Sequence, residues 1–139
     1  KPDDTFPGDT RSTADVLLAV HKSYLGAIAP VRARIHAMAH ITGGGLPGNL
    51  DRALPPTLDA VVDTTSWEIP NVFRVLEEAG GVARDEMYRA FNMGVGMVVI
   101  TDAAGAVPVR ASATAAGIES WMLGEIAEGT GSVILKGGT

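Results

Sequence analysis

Apolar positions along the chain fall into segments of two different periods, and the segments alternate. Val72, Val75, Leu76 and Ala79 recur at i, i+3, i+4 and i+7, which predicts an amphipathic helix closed by Gly80-Gly81. Tyr24, Leu25, Ile28 and Val31 also fit a helical face, with Pro30 bending or ending its first part. Asp85 to Phe91 reads as a further short helix, and the Ala-rich stretch from Pro108 to Ala116 as another. Ile35 to Ile41 alternates loosely, and Leu58 to Val62 is short and β-branched, so both are predicted strands. Met93 to Ile100 reads as a buried strand. Trp121 to Ile126 and Ser132 to Leu135 read as closing strands joined by a hairpin turn at Gly129-Thr130-Gly131. Val16, Leu17 and Leu18 fit either a strand or a helix. Residues 1–13 are polar and rich in Pro, Asp and Thr, so they are expected to be a linker or a cut end, leaving 14–139 as one domain. Interleaved strands and helices predict an α/β (α+β) fold, a mixed β-sheet layered with helices.

Composition narrows the function classes. The chain has 139 residues, the size of one domain, and 46% are hydrophobic, enough for a core. The net charge of −5 comes with scattered basic residues, which disfavours nucleic acid as a partner. With no Cys, thiolate chemistry and Cys-based zinc sites are excluded, and a reducing, cytoplasmic setting is expected. The longest apolar run, Gly94 to Ile100, is too short to span a bilayer.

The segment His40-Ile41-Thr42-Gly43-Gly44-Gly45-Leu46 carries the clearest chemical signal. Glycines between a strand and a helix let the backbone approach a ligand, and a helix start offers unpaired N–H groups, so the pattern suits a phosphate. The same pattern also fits a plain tight turn, and it matches neither the P-loop nor the dinucleotide fingerprint. His40 and Thr42 flank the turn, and Asn49 either caps the following helix or meets the ligand. Asn92 and Gly94 open the segment Asn92-Met93-Gly94-Val95-Gly96, where a strand end would face a cleft. Lys22, beside His21 and Tyr24, is a candidate counter-charge for a phosphate. No His or carboxylate spacing resembles a dedicated metal site, so none is expected.

Several of these segments resemble phosphoribosylformylglycinamidine cyclo-ligase, also called aminoimidazole ribonucleotide synthetase. The resemblance rests on Ala39 to Leu46 with Asn49-Leu50, Arg52 and Leu54-Pro55. It continues in Ser66-Trp67 with Ile69-Pro70, in Glu86 to Met97, and in Trp121 to Ile126. It implies the C-terminal, substrate-side domain of an ATP-dependent enzyme that closes formylglycinamidine ribonucleotide to aminoimidazole ribonucleotide in purine biosynthesis. ATP would activate the formamide oxygen, and the ring nitrogen would then attack. ATP and Mg2+ would be held by an N-terminal domain absent from this chain, and the enzyme would be a homodimer. The resemblance makes Gly43, Gly44 and Gly45 the phosphate seat, bordered by His40, Thr42 and Asn49 and faced by Asn92 and Gly94. His40 is the expected proton-transfer residue. The isolated chain is expected not to turn over. Many relatives carry Pro-Thr-Arg-Ile-Tyr where this chain has Val20-His21-Lys22-Ser23-Tyr24, and Lys22 lacks the two-pronged fork of Arg. A stand-alone phosphate-binding module and a sister ATP-using enzyme of the same superfamily share this layout.

Overall fold

The computed structural model describes residues 1–137; the last two residues of the expected domain, 138 and 139, lie outside the described residues. Six α-helices and five strands are described: α1 Thr13–Leu17, α2 Leu25–Ile28, β1 Ala37–His40, α3 Gly45–Leu50, β2 Leu58–Asp63, α4 Asn71–Gly80, α5 Arg84–Ala90, β3 Met97–Ile100, α6 Ala103–Ala115, β4 Gly124–Glu128 and β5 Val133–Lys136. The expected mixed sheet is present as β4-β2-β5, with β4 antiparallel and β5 parallel to β2. A separate antiparallel pair, β1-β3, forms a second sheet, with His40 opposite Met97 and Ala37 opposite Ile100.

The core gathers around α3. This helix has six residues, among them Gly45, Pro47 and Gly48, so propensity alone does not hold it. Leu46 and Leu50, one turn apart, are buried against Ile41, Met87 and Met93. Each such side chain stabilises the fold by roughly 1.5–3 kcal/mol through the area it removes from water. Ala39, Ala60, Val62, Tyr88, Val95 and Val98 complete this cluster, joining both sheets to α5.

Four local expectations change. The strand expected from Met93 begins only at Met97, because Met93 (φ 51°) and Gly94 (φ 98°) take left-handed backbone. The Asn92 side-chain oxygen accepts from the Gly94 N–H at 2.9 Å and closes that turn. The helix expected from Pro108 starts at Ala103, because the Asp102 carboxylate accepts from the Gly105 N–H at 2.7 Å and caps it. Pro108 sits inside this helix.

The expected hairpin between the last two strands is not one. β4 and β5 lie on opposite edges of β2, and residues 129–132 cross over the end of β2 between them. The carboxylate of Asp59, in β2, pins the crossing. Its Oδ1 accepts from the Thr130 N–H at 2.7 Å and the Ser132 N–H at 2.8 Å. A Cβ on Gly129 would overlap that carboxylate.

The opening segment expected as a linker is held against the domain. Phe6 is 4% exposed, Thr5 bridges Ser12, and the Asn71 amide donates to the Pro7 carbonyl at 2.7 Å. Ser12 caps α1, which settles Val16 and Leu17 as helix.

Candidate functional site

The β1-β3 ladder places the two glycine-bearing segments side by side. Where the ladder ends, the Ile41 N–H donates to the Gly96 carbonyl at 2.9 Å. The loop after His40 therefore lies along the turn that precedes Met97. Beyond Ile41 the chain turns at Thr42-Gly43-Gly44, closed by the Gly45 N–H donating to the Thr42 carbonyl at 3.0 Å. Gly44 (φ 97°) and Gly45 (φ 59°) are both left-handed, a conformation that suits glycine.

The three glycines have different duties. A Cβ on Gly45 would overlap the Tyr88 carbonyl and lie 2.8 Å from the Phe91 carbonyl oxygen, so Gly45 packs against the end of α5. It is buried. Gly43 has open space around it and no left-handed φ, and Gly43 and Gly44 are exposed. Asn49 neither caps α3 nor points outward. Its amide nitrogen lies 2.8 Å from the Gly45 carbonyl, 3.2 Å from that of Gly43 and 3.4 Å from that of Thr42. Asn49 thus engages the loop's carbonyls and not its N–H groups. The N–H groups of Thr42, Gly43 and Gly44 donate to no acceptor among the described residues.

His40 is exposed at the end of β1, with His21 beside it: the two Nε2 atoms are 3.1 Å apart. Tyr24 stands edge-on to both rings, with centroids 6.2 Å from His40 and 6.3 Å from His21. Burial pushes the Tyr24 hydroxyl up from its ordinary value, so it stays protonated at neutral pH. That hydroxyl approaches Gly96 so closely that a Cβ there would overlap it. Lys22 is exposed, lines a shallow depression with His21, Tyr24 and His40, and makes no ion pair among the described residues.

Past Lys22 and Tyr24 the depression meets a cleft of about 1010 Å³ between the two sheets and α6. Gly94 lines this cleft, as do Trp67 and Trp121, which stack at 6.3 Å. The Trp67 indole donates to the Met93 carbonyl at 2.9 Å and so supports the left-handed turn. Gly94 is pressed against Pro70, whose Cγ would lie 2.9 Å from an added Cβ, and Asn92 is spent on its own turn. The structure thus brings His40 and Lys22 to one exposed depression, and the exposed Thr42, Gly43 and Gly44 follow His40 in the chain. Asn49 and Gly45 shape this loop, and Asn92 and Gly94 the neighbouring turn. His21 and Tyr24, singled out in the sequence only as neighbours of Lys22, line the same depression. Nineteen residues separate His21 from His40, and no spacing rule could have joined them.

Among the described residues no cluster of three or more His, Cys, Asp or Glu could hold a metal ion. Asp63 accepts from Thr65, and Glu68 is 88% exposed beside Arg74 at 3.9 Å, so neither carboxylate is arranged for Mg2+. No helix among the described residues is long and apolar enough to cross a membrane.

The fold and the region around His40 define a sheet-and-helix domain with a glycine loop, before a short helix, whose first N–H groups have no acceptor among the described residues. The family described as AIR synthase related protein, C-terminal domain, matches residues 3–136, and the chain belongs to that family. Two similar curated proteins are named phosphoribosylformylglycinamidine cyclo-ligase, one from Synechococcus elongatus and one from a Synechococcus sp. strain. Each is 44% identical over 127 residues, which cover 89% of this chain and 37% of the relative. The chain thus spans little more than a third of the length of these relatives.

Proposed function

We propose that this domain is the substrate-side part of a phosphoribosylformylglycinamidine cyclo-ligase, the enzyme that closes the imidazole ring of aminoimidazole ribonucleotide using ATP. The observation that carries the reading is the set of N–H groups of Thr42-Gly43-Gly44 without an acceptor among the described residues, in a loop whose carbonyls Asn49 engages. Three backbone donors on a short loop suit a phosphate oxygen, and hydrogen bonds to a charged group contribute about 1.5–3 kcal/mol each. The 5′-phosphate of the ribonucleotide is the proposed occupant. Lys22, which lines the depression beside His40, is proposed to supply a positive charge, and the exposed Thr42 hydroxyl to border the phosphate.

His40 is the proposed proton-transfer residue. It sits two residues before the loop and within reach of a substrate anchored there. Its Nε2 faces that of His21, so one of the two nitrogens must be unprotonated for them to share a hydrogen. The pair could then accept a proton from the attacking nitrogen and release it to solvent. Gly94 and Asn92 hold the neighbouring turn that faces the ribose side. Among the described residues no group of three or more His, Cys, Asp or Glu could hold a metal ion, and ATP and Mg2+ are assigned to an N-terminal domain. Leu18, Val20 and Leu25, 78%, 94% and 73% exposed, are an apolar surface that such a domain would cover. The working enzyme is proposed to be a cytoplasmic homodimer.

The test is an assay of ADP release with formylglycinamidine ribonucleotide. A full-length protein carrying this domain should release ADP only when the substrate is present, and the 139-residue chain alone should release none. Release by the chain alone would overturn the division of labour. A full-length protein inert toward this substrate would overturn the reading itself.

A further inference from the structure

We infer that His21 is a positioning residue for His40. It holds His40 in the tautomer that carries its hydrogen on Nε2, and so leaves Nδ1 as the unprotonated, basic nitrogen. The use of that nitrogen as a base rests on the cyclo-ligase reading above; the tautomer itself does not. The hydrogen-bond partners place the protons. His21 Nδ1 lies 3.2 Å from the Lys22 carbonyl. A carbonyl oxygen only accepts, so Nδ1 of His21 carries a hydrogen. A neutral imidazole has one N–H, which makes Nε2 of His21 an acceptor. That atom lies 3.1 Å from Nε2 of His40, which must therefore donate. The hydrogen bonds run one way, from His40 to His21 to the Lys22 carbonyl.

The surroundings hold the pair in this arrangement. The His21 ring stands edge-on to Tyr24, with planes inclined at 83°. Tyr24 is itself fixed where its hydroxyl meets Gly96. Residues 19–23 make no backbone–backbone hydrogen bond among the described residues, so the contact with His40 is what ties the His21 segment to the end of β1. Neither imidazole has a carboxylate partner among the described residues. His21 is the one group hydrogen-bonded to the His40 ring there, and the bond made by one ring nitrogen decides the state of the other. A general base needs its lone pair on a fixed atom; the other tautomer would present a hydrogen at Nδ1 instead.

The experiment reads tautomers first and turnover second. Nitrogen–proton correlation spectra of the 139-residue chain, recorded above the titration range of imidazole, should show His21 protonated on Nδ1 and His40 on Nε2. His21→Phe keeps a ring beside Tyr24 but removes the acceptor, and His40 should become a mixture of tautomers. His21→Gln offers a side-chain carbonyl oxygen and should restore the Nε2–H form. Backbone amide spectra that overlay the wild type beyond the substituted segment show that each variant is folded. In a full-length protein carrying this domain, His21→Phe should lower kcat about tenfold and leave KM within about twofold, and His21→Gln should recover most of the loss. A hydrogen on Nε2 of His21, or a His40 tautomer unmoved in His21→Phe, would overturn the inference. Unchanged kcat in His21→Phe would overturn the positioning role. A full-length protein inert toward the substrate would remove the cyclo-ligase reading and the base role with it, while the spectra would still decide the tautomer.

Discussion

Two glycine-rich loops of this domain have nearly the same composition and opposite hydrogen-bond polarity. In Thr42-Gly43-Gly44-Gly45 a single amide, Asn49, faces three carbonyls, and the N–H groups of Thr42, Gly43 and Gly44 have no acceptor among the described residues. In Gly129-Thr130-Gly131 a single carboxylate, Asp59, accepts the N–H groups of Thr130 and Ser132, and the Gly129 N–H donates to Thr57. The first loop leaves three donors unspent within the described residues, the donors we propose for a phosphate. The second spends them on the fold, where they hold a strand crossing. The polarity of the one side chain behind a loop, rather than its glycine content, decides whether it can receive an anion.

The comparison can be broken most forcefully at Gly45. Gly45→Ala places a methyl into the Tyr88 carbonyl at a left-handed φ of 59°, and neither backbone segment can give way cheaply. The expected loss is on the order of 3 kcal/mol or more, measured by urea denaturation. A change below about 1 kcal/mol would mean that this glycine is not the packing residue described.

Asp59→Asn tests the other loop. Hydrogen bonds from the Ser132 and Thr130 N–H groups hold the Asp59 carboxyl below the usual carboxylate range. A depressed carboxyl contributes stability that is present above its unfolded value, about 3.9, and is lost as pH falls through the lower folded value. The variant should melt at a lower temperature at pH 7 and show a flatter acid limb than the wild type. Its affinity for phosphate should be unchanged; a weakened phosphate affinity would join the two loops in a way the structure does not.

Asn49→Ala removes the amide behind the first loop. It should cost about 1 kcal/mol in stability and weaken binding of ribose 5-phosphate by more than it weakens the fold. Gly43→Ala is the smallest structural change, because nothing lies within 4 Å of the added methyl. Its stability should stay within about 0.5 kcal/mol of the wild type, while phosphate affinity falls at least tenfold because the methyl stands where the ligand approaches. Unaltered affinity in Gly43→Ala would remove the loop from the site.

Much of this was legible in the sequence, and the rest was hidden for identifiable reasons. The helix Asn71–Gly80 and the strands at β1 and β2 follow from local periodicity and glycine or proline stops. The strand–turn–helix around Gly43–Gly45 was readable because its elements adjoin in sequence. Alanine content alone places the start of α6 at Pro108, whereas the Asp102 cap starts it at Ala103. The final pair of strands imitates a hairpin because what separates them in space is β2, more than sixty residues away in sequence. Asp59 and His21 act through partners 71 and 19 residues distant, a relation that no local pattern encodes. The differing duties of three identical glycines were equally invisible, since only the neighbours, the Tyr88 carbonyl for Gly45 and open space for Gly43, distinguish them.

The central claim is that the unspent amides of the first loop receive a phosphate while those of the second do not. The most direct measurement is an amide NMR titration of the chain with inorganic phosphate and then ribose 5-phosphate. The account predicts saturable shifts at Thr42, Gly43 and Gly44, tighter for the sugar phosphate, with Thr130 and Ser132 unmoved. Shifts centred on residues 129–132, or no saturable shift at residues 42–44, would contradict it.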